Sequence, residues 1–392
     1  MDIRDLTPGD LDAALDNRWR AFGPLSPGDR ERWRSLVTPA AEAGRFLGVF
    51  DGPRLVATAR VADFVQWWHG RPVRMGGLAG VTVAPEDRGR GVGRLVVRAA
   101  LDRCAELGYP LSALYPATTP IYRSLGWEHA GIRNIVKLPA EGLRTIRPGG
   151  EQGGEHGGEH GGEQVELRRL GPGDAAEVAA VLHRAHAASR ASGPVCWDEA
   201  TWRLWLEDED DLMYAARDGY VIYRWDGGDI EVDNLVAASE PTARALWALV
   251  GTASSVARSV RAAVAPDDPV FWLLGEVRYE PVKQDRWMLR VIDLPAAVAA
   301  RGFPAGLALD APIAVAGMGE WRLTVSGGRG ALTAAPSAGD SARLTVNGIS
   351  ALYAGVPAAT LRRAGLLRGG SPELDEGLDA AFRATPYMLD YF

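Results

Sequence analysis

Between Gly80 and Arg94 the chain reads Gly-Val-Thr-Val-Ala-Pro-Glu-Asp-Arg-Gly-Arg-Gly-Val-Gly-Arg, a β-branched run followed by glycines interleaved with arginines. A polyanion is the partner that such a stretch suits. Gly89, Gly91 and Gly93 let the backbone approach phosphate oxygens with no Cβ in the way. Arg88, Arg90 and Arg94 supply positive charge. The apolar spacing of Leu95, Val96, Ala99, Ala100, Cys104 and Leu107 predicts a helix over 94–107, so unpaired N–H groups and the positive end of a dipole stand just behind Val92. The spacing is neither the P-loop, which needs Gly-Lys-Ser/Thr, nor the dinucleotide fingerprint. Tyr122, in Ile121-Tyr-Arg-Ser-Leu-Gly-Trp127, carries a phenol that can donate a proton or simply pack in a core. The chain ends in Ala384-Thr-Pro-Tyr-Met-Leu-Asp-Tyr-Phe392, too aromatic for a frayed tail, and is expected to dock into the protein.

The elements that position these residues follow from local pattern. A short strand and turn at Ile3–Asp10 lead to a helix over 11–22, with Asp10 as its N-cap. Asp51-Gly-Pro53 between Phe46–Phe50 and Leu55–Val61 predicts a hairpin. Strands over 74–83, 110–115 and 133–138, with a short helix through Tyr122, complete an α/β domain over residues 1–147. Residues 148–164 repeat Gly-Gly-Glu-Gln or Gly-Gly-Glu-His and read as a flexible linker; His156 and His160 there lack the fixed geometry of a metal site, and no metal is expected.

The chain then restarts: Leu167-Arg-Arg-Leu-Gly-Pro-Gly-Asp174 matches Ile3-Arg-Asp-Leu-Thr-Pro-Gly-Asp10 position for position. Residues 165–286 therefore read as a second copy of the domain. Where its phosphate loop should recur, Val232–Trp247 has neither the glycines nor the paired arginines, so this copy is a degenerate wall. Residues 287–392 change character, with short strands and small helices; Leu289, Val291, Leu294 and Phe303 fit an ordinary core better than the lining of an apolar cavity.

The bulk numbers exclude several classes. A chain of 392 residues, 47% hydrophobic, is large enough for two or three domains with cores of their own. It opens Met-Asp-Ile-Arg-Asp, unlike a signal peptide, and no apolar run is long enough for a membrane span. Cys104 and Cys196, in surroundings that suggest burial, fit a reducing cytoplasm and exclude a disulfide framework. A net charge of −7 argues against nucleic acid and suits a cationic substrate.

Val81-Thr-Val83 with Arg88-x-x-Gly91-x-Gly93 resembles the pyrophosphate loop of GCN5-related N-acetyltransferases. With Ile121-Tyr122-Arg-Ser-Leu-Gly126-Trp127, the repeat and the terminal Phe392, the whole chain resembles the Eis family: an active acetyltransferase domain, a degenerate second one and a domain similar to sterol carrier proteins. The resemblance implies acetyl-CoA as cosubstrate, contacted by Val81, Thr82, Val83, Arg88, Gly89, Arg90, Gly91, Val92, Gly93, Arg94, Ala117 and Thr118. It implies Tyr122 as general acid and the α-carboxylate of Phe392 as general base. It further implies broad amine acetylation, aminoglycosides among the acceptors, and a homohexamer in the cytoplasm, with export by a route that uses no signal peptide left open. Protein lysines, or a non-catalytic acyl-CoA or lipid carrier, are the alternatives. Two departures bear on the acceptor: Gly80 stands where a bulky aromatic is expected, and Gly23–Asp29 differs in character.

The chemistry accounts for this need of a base. An amine of pKa about 10.4 is neutral about once in 2,500 molecules at pH 7, a cost near 4.6 kcal/mol. Many relatives carry a glutamate on the strand entering the loop, but Met75–Val83 contains no carboxylate. The base must come from elsewhere, and a docked chain terminus is available. Its ordinary pKa of about 3.5 is low for a base, and burial among aromatics would raise it. Asp390 adds negative charge beside it. The resemblance implies that the backbone N–H of Val83 polarises the thioester; Trp19, Phe22, Trp33, Trp67 and Trp68 could supply aromatic surface for a cationic acceptor, although aromatics this frequent are more often core.

Overall fold

The computed structural model describes residues 1–148, 165–276, 279–336 and 340–392; the expected linker beyond residue 148, with His156 and His160, lies outside the described residues. The first domain runs β1 (Asp2–Asp5), α1 (Leu11–Phe22), α2 (Pro27–Glu42), β2 (Phe46–Asp51), β3 (Arg54–Trp68), β4 (Arg71–Val83), α3 (Val92–Glu106), β5 (Leu111–Leu114), α4 (Thr119–Arg123) and β6 (Glu128–Pro139). Of these, α2 lacks a counterpart in the sequence expectations. It has the right start signals, Pro27 in its first turn and Ser26 Oγ accepting from Asp29 N–H at 3.1 Å. Its buried face is confined to Val37, Ala40 and Ala41, and Pro39 sits inside it, so its apolar period is faint.

The internal repeat is structural as well as sequential. Arg4 pairs with Asp10 at 2.8 Å and Thr7 N–H donates to Asp10 at 2.9 Å; Arg168 pairs with Asp174 at 3.0 Å and Gly171 N–H donates to Asp174 at 2.8 Å. Each motif then enters a helix, Leu11–Phe22 or Ala175–Ala188. In the second copy the strand Asp229–Ala237 reaches the helix Glu240–Gly251 through two residues, which leaves no room for a phosphate loop.

One mixed sheet carries both copies, and they exchange strands. Residues Glu280–Val291 pair antiparallel with β5 on one side and β6 on the other, while β6 pairs with Ser259–Val264 of the second copy. This strand continues through 287–291, the first residues assigned above to the third region. It also lengthens β6, which begins at Glu128 rather than Arg133 because its ladder starts at Leu289–Glu128. The third region builds a five-stranded sheet from Leu309–Val315, Gly319–Ser326, Arg329–Ala334, Ala342–Leu344 and Leu367–Gly369.

The largest apolar cluster crosses all three regions, taking in Phe64 and Trp68, Val181 and Trp202, Leu352 and Phe382. Leu289, Val291, Leu294 and Phe303 belong to it as ordinary core. At its centre Arg301 is fully buried, its guanidinium 4.7 Å from the Tyr353 ring and 5.3 Å from that of Trp68, with Nη2 donating to Phe382 C=O at 2.9 Å. Burial pulls its pKa down to about 10, still charged at neutral pH. Among the described residues no helix is long and apolar enough to cross a membrane.

Candidate active site

The geometry of the site starts from two strands that part. β4 and β5 run parallel but pair only through Met75–Gly77 and Leu111–Ala113. Beyond that point β4 continues to Val83, whereas β5 is paired with Glu280–Val291. The β5-facing edge of Leu78–Val83 is thereby left without a strand neighbour, a slot for an extended, amide-bearing ligand. The β3–β4 ladder carries a bulge at Gly80, beside the split. Gly80 sits at φ +58°, and an added Cβ would meet only Arg60 Cβ, at 4.0 Å. Space does not demand glycine there; the left-handed backbone does. Thr58 Oγ1 fixes the bulge, donating to Gly80 C=O at 3.0 Å and lying 2.7 Å from Thr82 Oγ1.

At the end of β4 the glycine-rich loop is braced from below. Asp87 is buried and accepts from Arg54 at 2.5 and 3.1 Å and from Arg90. The hydrogen bond from Arg54, then that from Arg90, holds its carboxyl below the usual range against the effect of burial. Arg90 also reaches Asp51 at 3.2 Å. Its side chain thus secures the loop, and Arg94 donates to Ser124 Oγ. Arg88 has no ion pair among the described residues and is the free cation of the three. Gly89 and Gly91 both sit at φ +80° with open space around the Cβ position, and Gly91 precedes the first turn of α3. Gly93 allows close approach of Ile121 and Val83, where a Cβ would stand 3.3 and 3.4 Å from them. An exposed charge on a phosphate is worth about 1 kcal/mol, so Arg88→Ala is expected to raise the KM for acetyl-CoA about fivefold with kcat little changed. Steady-state kinetics with acetyl-CoA as the varied substrate checks this.

Beside the split lies a cavity of about 480 Å³. Val81, Thr82, Ala117 and Tyr122 line it from the first domain, and Tyr391 and Phe392 from the far end of the chain. Val83, Thr118 and the Arg88–Arg94 loop are not among its lining residues. Tyr122 packs edge-on against Trp127 at 6.3 Å, its hydroxyl has no hydrogen-bond partner among the described residues, and burial pushes its pKa up to about 12. Of the aromatics named from sequence, Phe22 and Trp33 line the cavity and Trp19 is exposed outside it. Trp67 and Trp68 are core, 3% and 0% exposed, because the end of β3 runs under the second copy.

The tail is docked along its length. Tyr387 N–H donates to Ser192 C=O at 3.1 Å, Met388 N–H to Ile132 C=O at 3.0 Å, and Arg133 Nε to Leu389 C=O at 2.6 Å. Tyr115 Oη donates to Asp390 C=O at 2.9 Å, and its ring stacks on Tyr391 at 4.3 Å. The Phe392 ring lies 4.6 Å from Phe64 and 5.7 Å from Tyr115. Gly77 makes room for both phenylalanines, since a Cβ there would stand 2.4 Å from the Phe64 ring and 3.0 Å from the Phe392 ring. Asp390 accepts from Trp197 Nε1 at 3.0 Å, and burial, more than any charge, lifts its carboxyl to about 6.

Comparison with known proteins agrees with this geometry. Residues 2–130 and 193–291 each match an acetyltransferase (GNAT) domain, and residues 294–389 match a sterol carrier protein domain. The crystal structure of a GCN5-related N-acetyltransferase from Kribbella flavida superposes with a TM-score of 0.91 at 47% identity, covering 100% of this chain and 98% of that one. The chain belongs to the GCN5-related N-acetyltransferases. N-acetyltransferase Eis of Mycobacterium tuberculosis is 28% identical over 380 residues, 91% of this chain and 90% of its own. Eis1 from Mycobacterium abscessus shares the fold, with a TM-score of 0.76 at 24% identity over the full length of both chains.

This acetyltransferase draws part of its candidate site from places the sequence did not suggest. Trp197 and Trp205 of the second copy line the cavity, as do Tyr115 and two arginines, Arg18 and Arg60. Arg60 is held down to about 10 by burial and then by neighbouring Arg45. A tryptophan-rich stretch, Trp197–Trp205, was the available signal; nothing local said which face of the protein it would meet.

Proposed function

We propose that the protein transfers the acetyl group of acetyl-CoA to a primary amine of a small-molecule acceptor, aminoglycosides being one class to test. The Gly89–Arg94 loop and Arg88 hold the pyrophosphate, and the open edge at Val81–Val83 aligns the pantetheine arm. The acceptor nitrogen attacks the thioester carbonyl carbon, the C–S bond breaks, the nitrogen's proton passes to the Phe392 carboxylate, and Tyr122 gives its proton to the departing sulfur. Val83 N–H polarises the carbonyl. Arg18 and Arg60 in the same cavity disfavour the ammonium form of the acceptor and so lower the cost of deprotonating it.

The observation that carries this reading is the single cavity lined by Tyr122, by the edge of β4 at Val81 and Thr82, and by the last residue of the chain. Its test is acetyl-CoA turnover over a panel of simple amines, aminoglycosides and lysine peptides, read as thiol release and as acetylated product by mass spectrometry. Product from the small amines supports the reading; product from peptides alone replaces it with a protein acetyltransferase. The family resemblance extends the reading to a homo-oligomer, a hexamer, which light scattering checks.

A further inference from the structure

The cavity lined by Tyr122 and Phe392 holds two cations, Arg18 and Arg60, and among the described residues that line it there is no aspartate or glutamate. The terminal carboxylate of Phe392 is the one anion its lining residues carry. Arg60 stands on β3 opposite Ala79, next to the bulge, and the missing side chain of Gly80 leaves the space over its stem open. Its guanidinium has no ion pair or hydrogen-bond acceptor among the described residues, and at about 10 its pKa keeps it charged at neutral pH. Asp63 and Asp198 line a smaller cavity that Arg60 also lines, yet both are committed elsewhere. Asp198 caps a helix by accepting from Thr201 N–H at 2.7 Å, and Asp63 accepts the phenol of Tyr109. Arg18, on α1, spends only Nη1 on the Gly23 C=O at 3.3 Å and has no ion pair among the described residues. A guanidinium drawn out of water without a counter-ion is costly to keep, and its planar fork matches a carboxylate in two parallel bonds.

We infer that Arg60, assisted by Arg18, binds a carboxylate of the acceptor, so that the preferred acceptors are amino acids, which carry the reacting amine and an anion in one molecule. The inference rests on the acetyl-transfer reading for this cavity and narrows its acceptor. Two guanidiniums against the carboxylate of Phe392 leave one positive charge, which the carboxylate of the acceptor neutralises while its amine enters unprotonated beside Tyr122. The thioester C–S bond breaks and a C–N bond forms, giving coenzyme A and an N-acetylamino acid whose carboxylate is untouched. Gly80 and Gly23, where the sequence departs from its family, are the residues that leave Arg60 open and hold Arg18.

The test compares ω-aminocarboxylates of about four to eight carbons with their own carboxamides, which keep the length and the amine but lose the anion. It reads kcat/KM and, independently of turnover, calorimetric binding in the presence of coenzyme A. The acid of best length is expected to exceed its amide by at least about tenfold in both readouts. Arg60→Gln is expected to erase that preference, whatever it does to the rates themselves, and Arg60→Lys, which restores the charge without the fork, to recover part of it. The preference of the wild type decides the matter alone if Arg60→Gln does not fold. Amides equal to or better than their acids, or Arg60→Gln lowering both by the same factor, would overturn carboxylate recognition while leaving acetyl transfer standing. Selective binding of the acids with no turnover of any acceptor would keep the carboxylate site and sink the acetyl-transfer reading instead.

Discussion

Removing Phe392, or extending the chain by two residues beyond it, is expected to lower kcat at least about 100-fold while acetyl-CoA binding stays within about twofold. The expectation rests on an absence and a presence. β4 enters the loop with no carboxylate between Met75 and Val83, and the last residue of the chain lines the cavity that Tyr122 lines. Loss of the fold is not the expected route. The tail stays anchored through Arg133 to Leu389, Tyr115 to the Asp390 carbonyl and Trp197 to the Asp390 carboxylate, all of which survive truncation at 391. Calorimetric acetyl-CoA binding and a melting curve separate the chemical effect from unfolding. Phe392→Ala is the informative control. It keeps a terminal carboxylate but removes the ring that packs on Phe64 and Tyr115, a contact worth about 1 kcal/mol, so an intermediate loss is expected. Full activity in the extended chain would remove the terminal carboxylate from the mechanism.

Tyr122→Phe is expected to lower kcat by about 10- to 1,000-fold, with the KM for acetyl-CoA unchanged. The phenyl ring keeps the packing against Trp127, so the change removes only the hydroxyl. Burial lifts the Tyr122 pKa to about 12. A group so shifted stays protonated, and able to donate, over the whole range in which simple amines lose their protons. In the wild type kcat/KM should therefore climb with pH as the acceptor deprotonates, with no falling limb from Tyr122 below about pH 10. A rate unchanged in the variant would dismiss Tyr122 as the acid and leave the thiolate to depart unaided.

The family, the repeat and the phosphate loop were legible in the sequence because each rests on interactions between near neighbours. A glycine needed at φ +80°, a helix N-terminus, a hairpin turn and the Arg–Thr/Gly–Asp clamp that opens each copy all close within a few residues. For the same reason a terminus with tyrosines and a phenylalanine announced that it was docked. The partners of that terminus were beyond reach: Tyr115, Arg133, Ser192 and Trp197 lie roughly 200 to 275 residues earlier in the chain. The glycine at position 80 was visible too, but as a missing aromatic rather than as the residue a bulge requires.

What the sequence determined, then, was the kind of chemistry and the local form of the glycine-rich loop. What only the tertiary structure decided was which distant residues meet around the cavity. The exchange of Glu280–Val291 for β6 draws the second copy against the first, and that packing carries Trp197 and Trp205 to the cavity that the C-terminus also lines. Strand exchange and docking are set by burial of complementary apolar faces across hundreds of residues, an interaction that leaves no spacing rule in the chain. A cavity assembled from distant stretches of a polypeptide is legible only once the polypeptide is folded.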